Sequence, residues 1–211
     1  MKNKLTILSI IIITLLLNGC AIKPEVTITE YFTDLQTTLS TDFKSLSIEK
    51  YFDSEVVLSD NDQSLNYDSG ESNEMTERYI ELFQGFEYTI KDTVINGDSA
   101  TVNVEILTYP MGELLSNYMT QLMSKVFEWA FSGLSEEEMT QKMTGLFIEL
   151  SDNLEKTYTN TVPVYLVKVE GKWLLAGGEA NYALFNALTG GMIDFAKQFQ
   201  NDMKPLETEI K

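Results

Sequence analysis

Two tight-turn signals, Asn96-Gly97 and Glu170-Gly171, constrain the fold of this 211-residue chain most. Each lies between two segments rich in β-branched and aromatic residues, and a short loop of this kind joins neighbouring antiparallel strands. The strands are predicted at 86–95 with 100–109 and at 158–170 with 173–176. We expect positive φ at both Asn96 and Gly97, as central positions of their turn. The sequence therefore predicts two β-hairpins.

Apolar residues recur at helical spacing before the first β-hairpin, which predicts three helices. The first follows Pro24, a favourable first-turn residue, and its stripe comprises Ile28, Tyr31, Phe32, Leu35 and Leu39. A shorter second helix, which Asp42 can cap, carries Phe43, Leu46, Tyr51 and Phe52. The third carries Met75, Tyr79, Leu82 and Phe83.

A helical hairpin is predicted as an insertion at 111–156, between the two β-hairpins. The broad apolar face of its first helix comprises Leu114, Leu115, Tyr118, Met119, Leu122, Met123, Val126, Phe127 and Ala130. Its second helix begins with Ser135 and Glu138 in capping-box register, and we expect the two helices to pack on each other and on the sheet. A last helical region, 182–188, is interrupted by Gly190-Gly191 and resumes through Ile193, Phe195 and Phe199.

Helices segregated from an antiparallel sheet predict an α+β domain. The helix opened by Pro24-Glu25 and the strand pairs around 95–102 and 169–173 resemble an uncharacterised family of Gram-positive (Firmicutes-type) lipoproteins with a nuclear transport factor 2-like (SnoaL-like) domain. The resemblance implies a curved antiparallel sheet that wraps the N-terminal helices and leaves a cone-shaped cavity. That fold supports enzymes, ligand binders and interaction modules, so it does not choose among them.

The chain begins with the charged, apolar and small-residue order of a secretory signal peptide. Lys2 and Lys4 precede the apolar run from Leu5 to Leu17, and Gly19 lies directly before Cys20. A helix of that length would cover only about 20 Å of a hydrocarbon core about 30 Å thick. The run is therefore too short to be a comfortable permanent membrane span.

The stretch Leu17-Asn18-Gly19-Cys20 resembles the lipobox of bacterial lipoproteins. The resemblance implies cleavage between Gly19 and Cys20 and a diacylglyceryl thioether on Cys20, whose two acyl chains hold a protein stably at a membrane. The alternative is an incidental buried cysteine after an uncleaved anchor. We expect a signal peptide at 1–19, a membrane tether at 20–25, the domain at 26–190 and a C-terminal helix and tail at 191–211, with the mature protein on the outer face of the bacterial cell membrane.

The charge and the missing residue types exclude several functions. Removal of 1–19 leaves 13 basic and 32 acidic residues, a formal charge of −19, which argues against nucleic-acid partners. The chain has no histidine, and acylation would consume its only thiol. Histidine-dependent triads and histidine-ligated zinc are therefore excluded, and we expect no cofactor. The expected partners are the membrane, through the lipid, and an envelope protein or a small apolar ligand.

Large aromatic residues are the candidates for a ligand cavity, since apolar pockets are common ligand sites. The candidates are Tyr31, Phe32, Tyr79, Phe83, Phe86, Trp129, Trp173 and Tyr182. The alternative is plain core packing, because each aromatic side chain buries a large area. A cavity enzyme of the isomerase or dehydratase type would need a carboxylate base in such a pocket. Asp34 and Asp92 are the carboxylates considered, although their positions in the pattern favour the surface.

The acidic segment 60–71 contains oxygen-bearing side chains at the ligand spacing of a calcium-binding EF-hand loop. Those side chains belong to Asp60, Asp62, Ser64, Asp68 and Glu71. Leu65 occupies the position where that loop needs glycine, so a solvated acidic loop without a metal is the favoured interpretation.

The predicted helical hairpin contains five methionines: Met111, Met119, Met123, Met139 and Met143. Methionine-rich apolar faces adapt to different partners, which predicts a docking surface for an envelope protein. The alternative is that these side chains fill gaps where the hairpin meets the sheet. Exposure of that face would favour docking, because contiguous exposed apolar patches are uncommon on monomers.

Overall fold

The computed structural model describes residues 23–38, 48–54, 56 and 74–209. Within them the strands are β1 (Glu87–Asn96), β2 (Ser99–Thr108), β3 (Tyr158–Val169) and β4 (Lys172–Leu175). The helices are α1 (Pro24–Thr38), α2 (Ile48–Tyr51), α3 (Glu74–Gln84), α4 (Met111–Phe131), α5 (Glu136–Asp152), α6 (Tyr182–Leu188) and α7 (Met192–Glu209). The predictions for the signal peptide, Gly19, Cys20, Leu39, Asp42 and the acidic segment Asp60, Asp62, Ser64, Asp68 and Glu71 concern residues outside this part of the chain.

The four strands form one antiparallel sheet in the order β1-β2-β3-β4. Thr108 at the end of β2 pairs with Tyr158 at the start of β3, so both ends of the helical hairpin leave the same end of the sheet. The two tight turns lie at the other end. There the backbone N–H of Lys168 donates to the carbonyl oxygen of Asp98 at 2.7 Å, so the turns are adjacent.

The first turn is displaced by one residue from its prediction. Asn96 pairs with Ser99, so the two loop residues are Gly97 and Asp98. The φ of Gly97 is 61°, while neither Asn96 nor Asp98 has a positive φ. Positive φ at the first central position alone is typical of a type II′ turn, which leaves Asn96 free to extend the strand. The prediction of positive φ at Asn96 is therefore wrong.

The second turn consists of Glu170 and Gly171, as predicted, because Val169 pairs with Lys172. Both loop residues have positive φ, 50° for Glu170 and 84° for Gly171. This is the pattern of a type I′ turn, whose twist matches that of the flanking strands.

The main core lies on one face of the sheet. Along β2 the buried residues Ala100, Val102, Val104 and Ile106 alternate with less buried ones, as the period of a strand requires. Two helices cover this face. They contribute Ile28, Tyr31, Phe32 and Leu35 from α1 and Leu184, Ala187 and Leu188 from α6.

Helix α1 crosses the core face from the turns to the opposite end of the sheet. Near its start, the Thr27 hydroxyl donates to the Trp173 carbonyl at 3.0 Å, and the Thr93 hydroxyl donates to the Glu25 carboxylate at 2.7 Å. Near its end, Gln36 Nε2 donates to the carbonyl before β1, that of Phe86, at 2.7 Å. Its 15 residues span about 22 Å, so α1 fixes the distance between the two ends of the domain.

The helical hairpin of α4 and α5 has its own apolar cluster. Leu114, Tyr118, Leu146 and Phe147 pack with Leu82 of α3, and Met192 of α7 packs against the same cluster. The sheet residues belong to the other cluster, so the prediction that the hairpin packs on the sheet is wrong. The apolar face of α3 covers the hairpin instead. Sequence periodicity identifies an apolar face but not the surface that covers it.

The capping box at the start of α5 is confirmed. The backbone N–H of Glu138 donates to Ser135 Oγ at 3.3 Å, and the backbone N–H of Ser135 donates to the Glu138 carboxylate at 2.9 Å. Backbone donors that a helix leaves unpaired at its first turn are satisfied in this way.

A close approach of backbones joins α4 to the loop between α6 and α7. The N–H of Gly112 donates to the Gly190 carbonyl at 3.0 Å, and Gly190 has a φ of 55°. A Cβ on Gly190 would lie 1.9 Å from the carbonyl oxygen of Tyr109. The helix interruption predicted at Gly190-Gly191 is therefore confirmed. The same two glycines lie where the loop between α6 and α7 packs against the start of α4.

These elements confirm an α+β fold with an open four-stranded antiparallel sheet. The nuclear transport factor 2-like cone stays a prediction.

Candidate functional site

Four of the eight aromatic residues predicted to line a cavity are core residues. Tyr31, Phe32, Phe86 and Trp173 are each at most 5% exposed and belong to the main cluster. The Phe32 ring meets the rings of Phe86 and Tyr88 edge-on, with centroid distances of 5.4 and 4.7 Å. Burial is the main cause that raises the pKa of the Tyr31 hydroxyl far above its usual value, and the nearby Tyr51 raises it further. These contacts are those of a packed core.

The other four aromatic residues are half-buried and lie in different surroundings. Phe83 packs against the main cluster, while Tyr79 and Trp129 pack against the hairpin cluster. The Tyr182 hydroxyl donates to the Asp194 carboxylate at 2.7 Å. Burial and that carboxylate raise the pKa of Tyr182. The eight candidates are therefore divided among the two clusters and a polar contact at α7.

Asp34 lies at the surface of α1 in a small polar cluster. Its carboxylate accepts hydrogen bonds from the Tyr51 hydroxyl and, at 3.2 Å, from Lys50 Nζ. The hydrogen bond from Tyr51 is the main cause that lowers the pKa of Asp34. A lower pKa weakens a general base, so this arrangement opposes the use of Asp34 for proton abstraction.

Asp92 lies on the face of the sheet away from the core. It pairs with Asn103, whose neighbours Val102 and Val104 point into the core, and it accepts a hydrogen bond from Asn103 Nδ2 at 2.9 Å. The side chain is exposed. Both carboxylates considered for acid–base chemistry are therefore at the surface.

The five methionines of the helical hairpin are buried to different degrees. Met111 is buried in the hairpin cluster, and Met119, Met139 and Met143 are half-buried. Met123 is 60% exposed. Part of the methionine-rich face therefore fills the hairpin, and part is open to solvent.

Two further exposed apolar residues continue the face of Met123 along α4. Phe127 is 69% exposed and Phe131 is 89% exposed. The spacing of four residues keeps the three side chains on one face of the helix, within about 12 Å along its axis. We call Met123, Phe127 and Phe131 the hairpin strip.

The same face of α4 is polar nearer its start, where Ser116 and Thr120 lie. Both are exposed, and the Thr120 hydroxyl donates to the Ser116 carbonyl at 2.8 Å. The solvent face of α4 thus changes from polar to apolar toward the tip of the hairpin. A helix that faced only water would not need this change, so the strip is the strongest candidate for a docking surface.

Sequence reasoning missed a buried asparagine that joins β3 to the end of β4. Asn181 is fully buried, and its Oδ1 accepts a hydrogen bond from the Tyr165 N–H at 2.9 Å. Its Nδ2 donates to the carbonyls of Tyr165 and Ala176, each at 2.9 Å. An asparagine in a polar loop gives no sequence signal for this role, because the partners are backbone groups.

Arg78, the chain's single arginine, was missed as well. Its Nη2 donates to the Ser151 carbonyl at 2.8 Å, and its Nε donates to Ser151 Oγ at 3.2 Å. These bonds satisfy a carbonyl in the last turn of α5 and attach that turn to α3. Arg78 therefore has a structural role at the base of the hairpin.

In the described part of the chain, none of the helices has the length and apolarity needed to cross a membrane. Within those same residues, no group of three or more acidic or cysteine side chains is close enough to hold a metal ion. The proposed lipidation site at Cys20 and the acidic segment fall outside both observations.

No protein-family model matches the sequence, and no curated protein matches it. Among solved structures, the chain is similar to a protein assigned as a lipoprotein (ycdA) from Bacillus subtilis subsp. subtilis str. 168. The identity is 18% and the TM-score is 0.39, with 55% of this chain and 36% of that chain covered. The chain thus spans little more than a third of the length of that structure, and a similarity of this size does not show a shared fold.

Proposed function

We propose that this protein is an extracytoplasmic lipoprotein, anchored through Cys20, that docks an envelope protein on the hairpin strip without catalysing a reaction. The domain that carries the strip is a nuclear transport factor 2-like cone in this proposal. The order of residues from Lys2 to Cys20 supports the export and the anchor. The observation that carries the docking role is the exposure of Met123, Phe127 and Phe131 on one helical face.

The position of the hairpin favours a protein partner over the lipid surface. The hairpin leaves the sheet at the end opposite the tight turns. The chain enters the domain at the start of α1, where Thr27 and Glu25 bind residues near the turns. The base of the hairpin and the start of α1 therefore lie at opposite ends of the sheet. A partner in the envelope can reach the hairpin while the lipid stays in the membrane.

The charge of the protein indicates what kind of partner fits. The mature chain carries a formal charge of −19, and the exposed Glu128 adjoins the strip. A surface with an apolar centre and a basic rim would match both the strip and its surroundings. The half-buried methionines of the hairpin, Met119, Met139 and Met143, would let it adjust to that surface.

Anchoring is tested by the intact mass of the protein purified from its native membrane. We expect a chain that starts at Cys20 and carries a diacylglyceryl group, and we expect Cys20→Ala to keep residues 1–19 and to lack the lipid. A full-length, unmodified chain in the membrane would refute the anchor.

Docking is tested separately with a photo-crosslinking amino acid at Phe127 and, as the matched control, at Ser116 on the same face of α4. We expect a crosslinked protein from position 127 that is absent from position 116. An added excess of the unmodified protein should reduce this crosslinking. An added excess of the triple variant Met123→Ser, Phe127→Ser, Phe131→Ser should reduce it much less. Equal crosslinking at both positions, or none at position 127, would refute docking on the strip.

A further inference from the structure

The end of the domain that carries the two tight turns also exposes apolar side chains. We define this tether end as residues 23–27, 93–100 and 167–173. Val94 and Ile95 lie near the end of β1 and are 62% and 55% exposed, while Val26 and Val169 are each 43% exposed. Tyr165 adjoins them, since it and Val94 both pair with Thr101. Among the described residues, the other large apolar side chains with high exposure are those of the hairpin strip.

The start of α1 is fixed rigidly within the tether end. The bonds of Thr27 to Trp173 and of Thr93 to Glu25 attach the first turn of the helix to β4 and β1. Val26 lies between those two contacts along the chain, and Val169 precedes the turn that leads to Trp173. The exposed apolar side chains therefore surround the point where the chain enters the domain.

Very little chain separates that point from the proposed lipid. Helix α1 begins at Pro24, so three residue steps join Cys20 to Lys23. Fully extended, they reach at most about 11 Å. An acylated Cys20 would lie in the headgroup region, so Lys23, the first residue of the tether end, would stay within that short distance of it.

The charge of the tether end suits a lipid surface, in contrast to that of the whole protein. Its basic residues are Lys23, Lys168 and Lys172, and its acidic residues are Glu25, Asp98 and Glu170. Its formal charge is therefore zero, whereas the mature chain carries −19. An anionic leaflet would repel most of this protein but not this end. The long lysine side chains can also extend along apolar surface toward the headgroups.

We propose that the tether end rests on the outer leaflet, with Val26, Val94, Ile95 and Val169 at the boundary of headgroups and acyl chains. This proposal rests on the acylation of Cys20 in the proposed function. Apolar side chains are stabilised at that boundary, and the lipid supplies the attachment that the few side chains alone could not. The contact would fix the orientation of the domain and direct the base of the hairpin away from the bilayer.

The experiment uses the full mature lipoprotein in vesicles of phosphatidylethanolamine and phosphatidylglycerol. Acylation leaves no free thiol, so an introduced cysteine is a unique site for a nitroxide label. The test variants are Ile95→Cys and Val169→Cys. The control is Thr159→Cys, an exposed position of β3 at the opposite end of the sheet. The accessibility of each label to oxygen and to a water-soluble nickel complex gives its depth.

We expect labels at positions 95 and 169 to be accessible to oxygen and protected from nickel, with an oxygen-to-nickel ratio several-fold above that at position 159. A ratio equal to that of the control, in a protein whose mass shows the lipid, overturns the membrane contact and leaves the anchor standing. Protection from both reagents means that protein covers these residues, from a second copy or from the same chain, and also overturns it. A mass without the lipid overturns both the anchor and the contact.

Discussion

Replacement of Gly190 by alanine tests the close backbone approach between the start of α4 and the loop that joins α6 to α7. The glycine has a φ of 55°, and an added Cβ would lie 1.9 Å from the Tyr109 carbonyl oxygen and 2.8 Å from the Met111 nitrogen. Both neighbours are backbone atoms, so no side chain can rotate away. The loop between α6 and α7 would have to separate from the start of α4.

The expected loss of stability has two parts. A left-handed backbone costs an alanine about 1 to 2 kcal/mol relative to glycine. The overlap adds about 1 to 3 kcal/mol, the usual cost of forcing atoms into a well-packed site. Gly190→Ala should therefore lower the free energy of unfolding by about 2 to 5 kcal/mol, a large share of a typical total of about 5 to 15 kcal/mol.

Gly178 provides the matched control. Its φ is 61°, and no atom lies within 4 Å of an added Cβ. Gly178→Ala should therefore show only the backbone part, about 1 to 2 kcal/mol. Urea unfolding of both variants, followed by circular dichroism, measures the difference. Equal losses in the two variants would refute the argument that the contact with Tyr109 makes glycine necessary at position 190.

Three further predictions use other contacts. Ser135→Ala removes the cap of α5 and should cost about 1 kcal/mol in urea unfolding, and an unchanged midpoint would contradict a stabilising cap. Asn181→Ala removes the side chain that binds the Tyr165 N–H and the Ala176 carbonyl, and this loss should cost about 3 kcal/mol or more, whereas Asn117→Ala at an exposed position should cost little. The pKa of Asp34 is lower in the folded protein than in the unfolded chain. The ionised carboxylate therefore stabilises the fold fully above the unfolded-state pKa, about 4, and this stabilisation is lost as the pH falls through the lower folded-state pKa. Tyr51→Phe should raise the pKa of Asp34 in an NMR titration and reduce this loss in acid, and an unchanged pKa would refute the role of the hydroxyl.

The order and type of the elements could be predicted from the sequence, because each has a strong local signal. Period-two alternation marks β2, the helical stripe of Ile28 and Phe32 marks α1, and the capping box of Ser135 marks the start of α5. These signals depend on neighbouring residues alone. Even so, the first turn lies one residue after its predicted position, because Gly97 can supply a positive φ at either central position of a turn.

The contacts between elements could not be predicted in the same way. The apolar face of α4 could have met the sheet or another helix, and only the folded chain shows that Leu82 of α3 covers it. The aromatic residues had the same pattern for a cavity as for a core, and Phe32 and Phe86 proved to pack on each other. Asn181 binds backbone groups, which carry no sequence signal at all.

The attachment of α1 at both ends has a mechanical consequence. If Cys20 is acylated as proposed, a pull on the lipid would enter the domain at the start of α1, where the bonds from Thr27 to Trp173 and from Thr93 to Glu25 would bear the first load. The buried side chain of Ile28 comes next along the helix, and Gln36 at the far end takes up load last. Because these contacts are spread along α1 from one end of the sheet to the other, such a pull would load the helix along its axis.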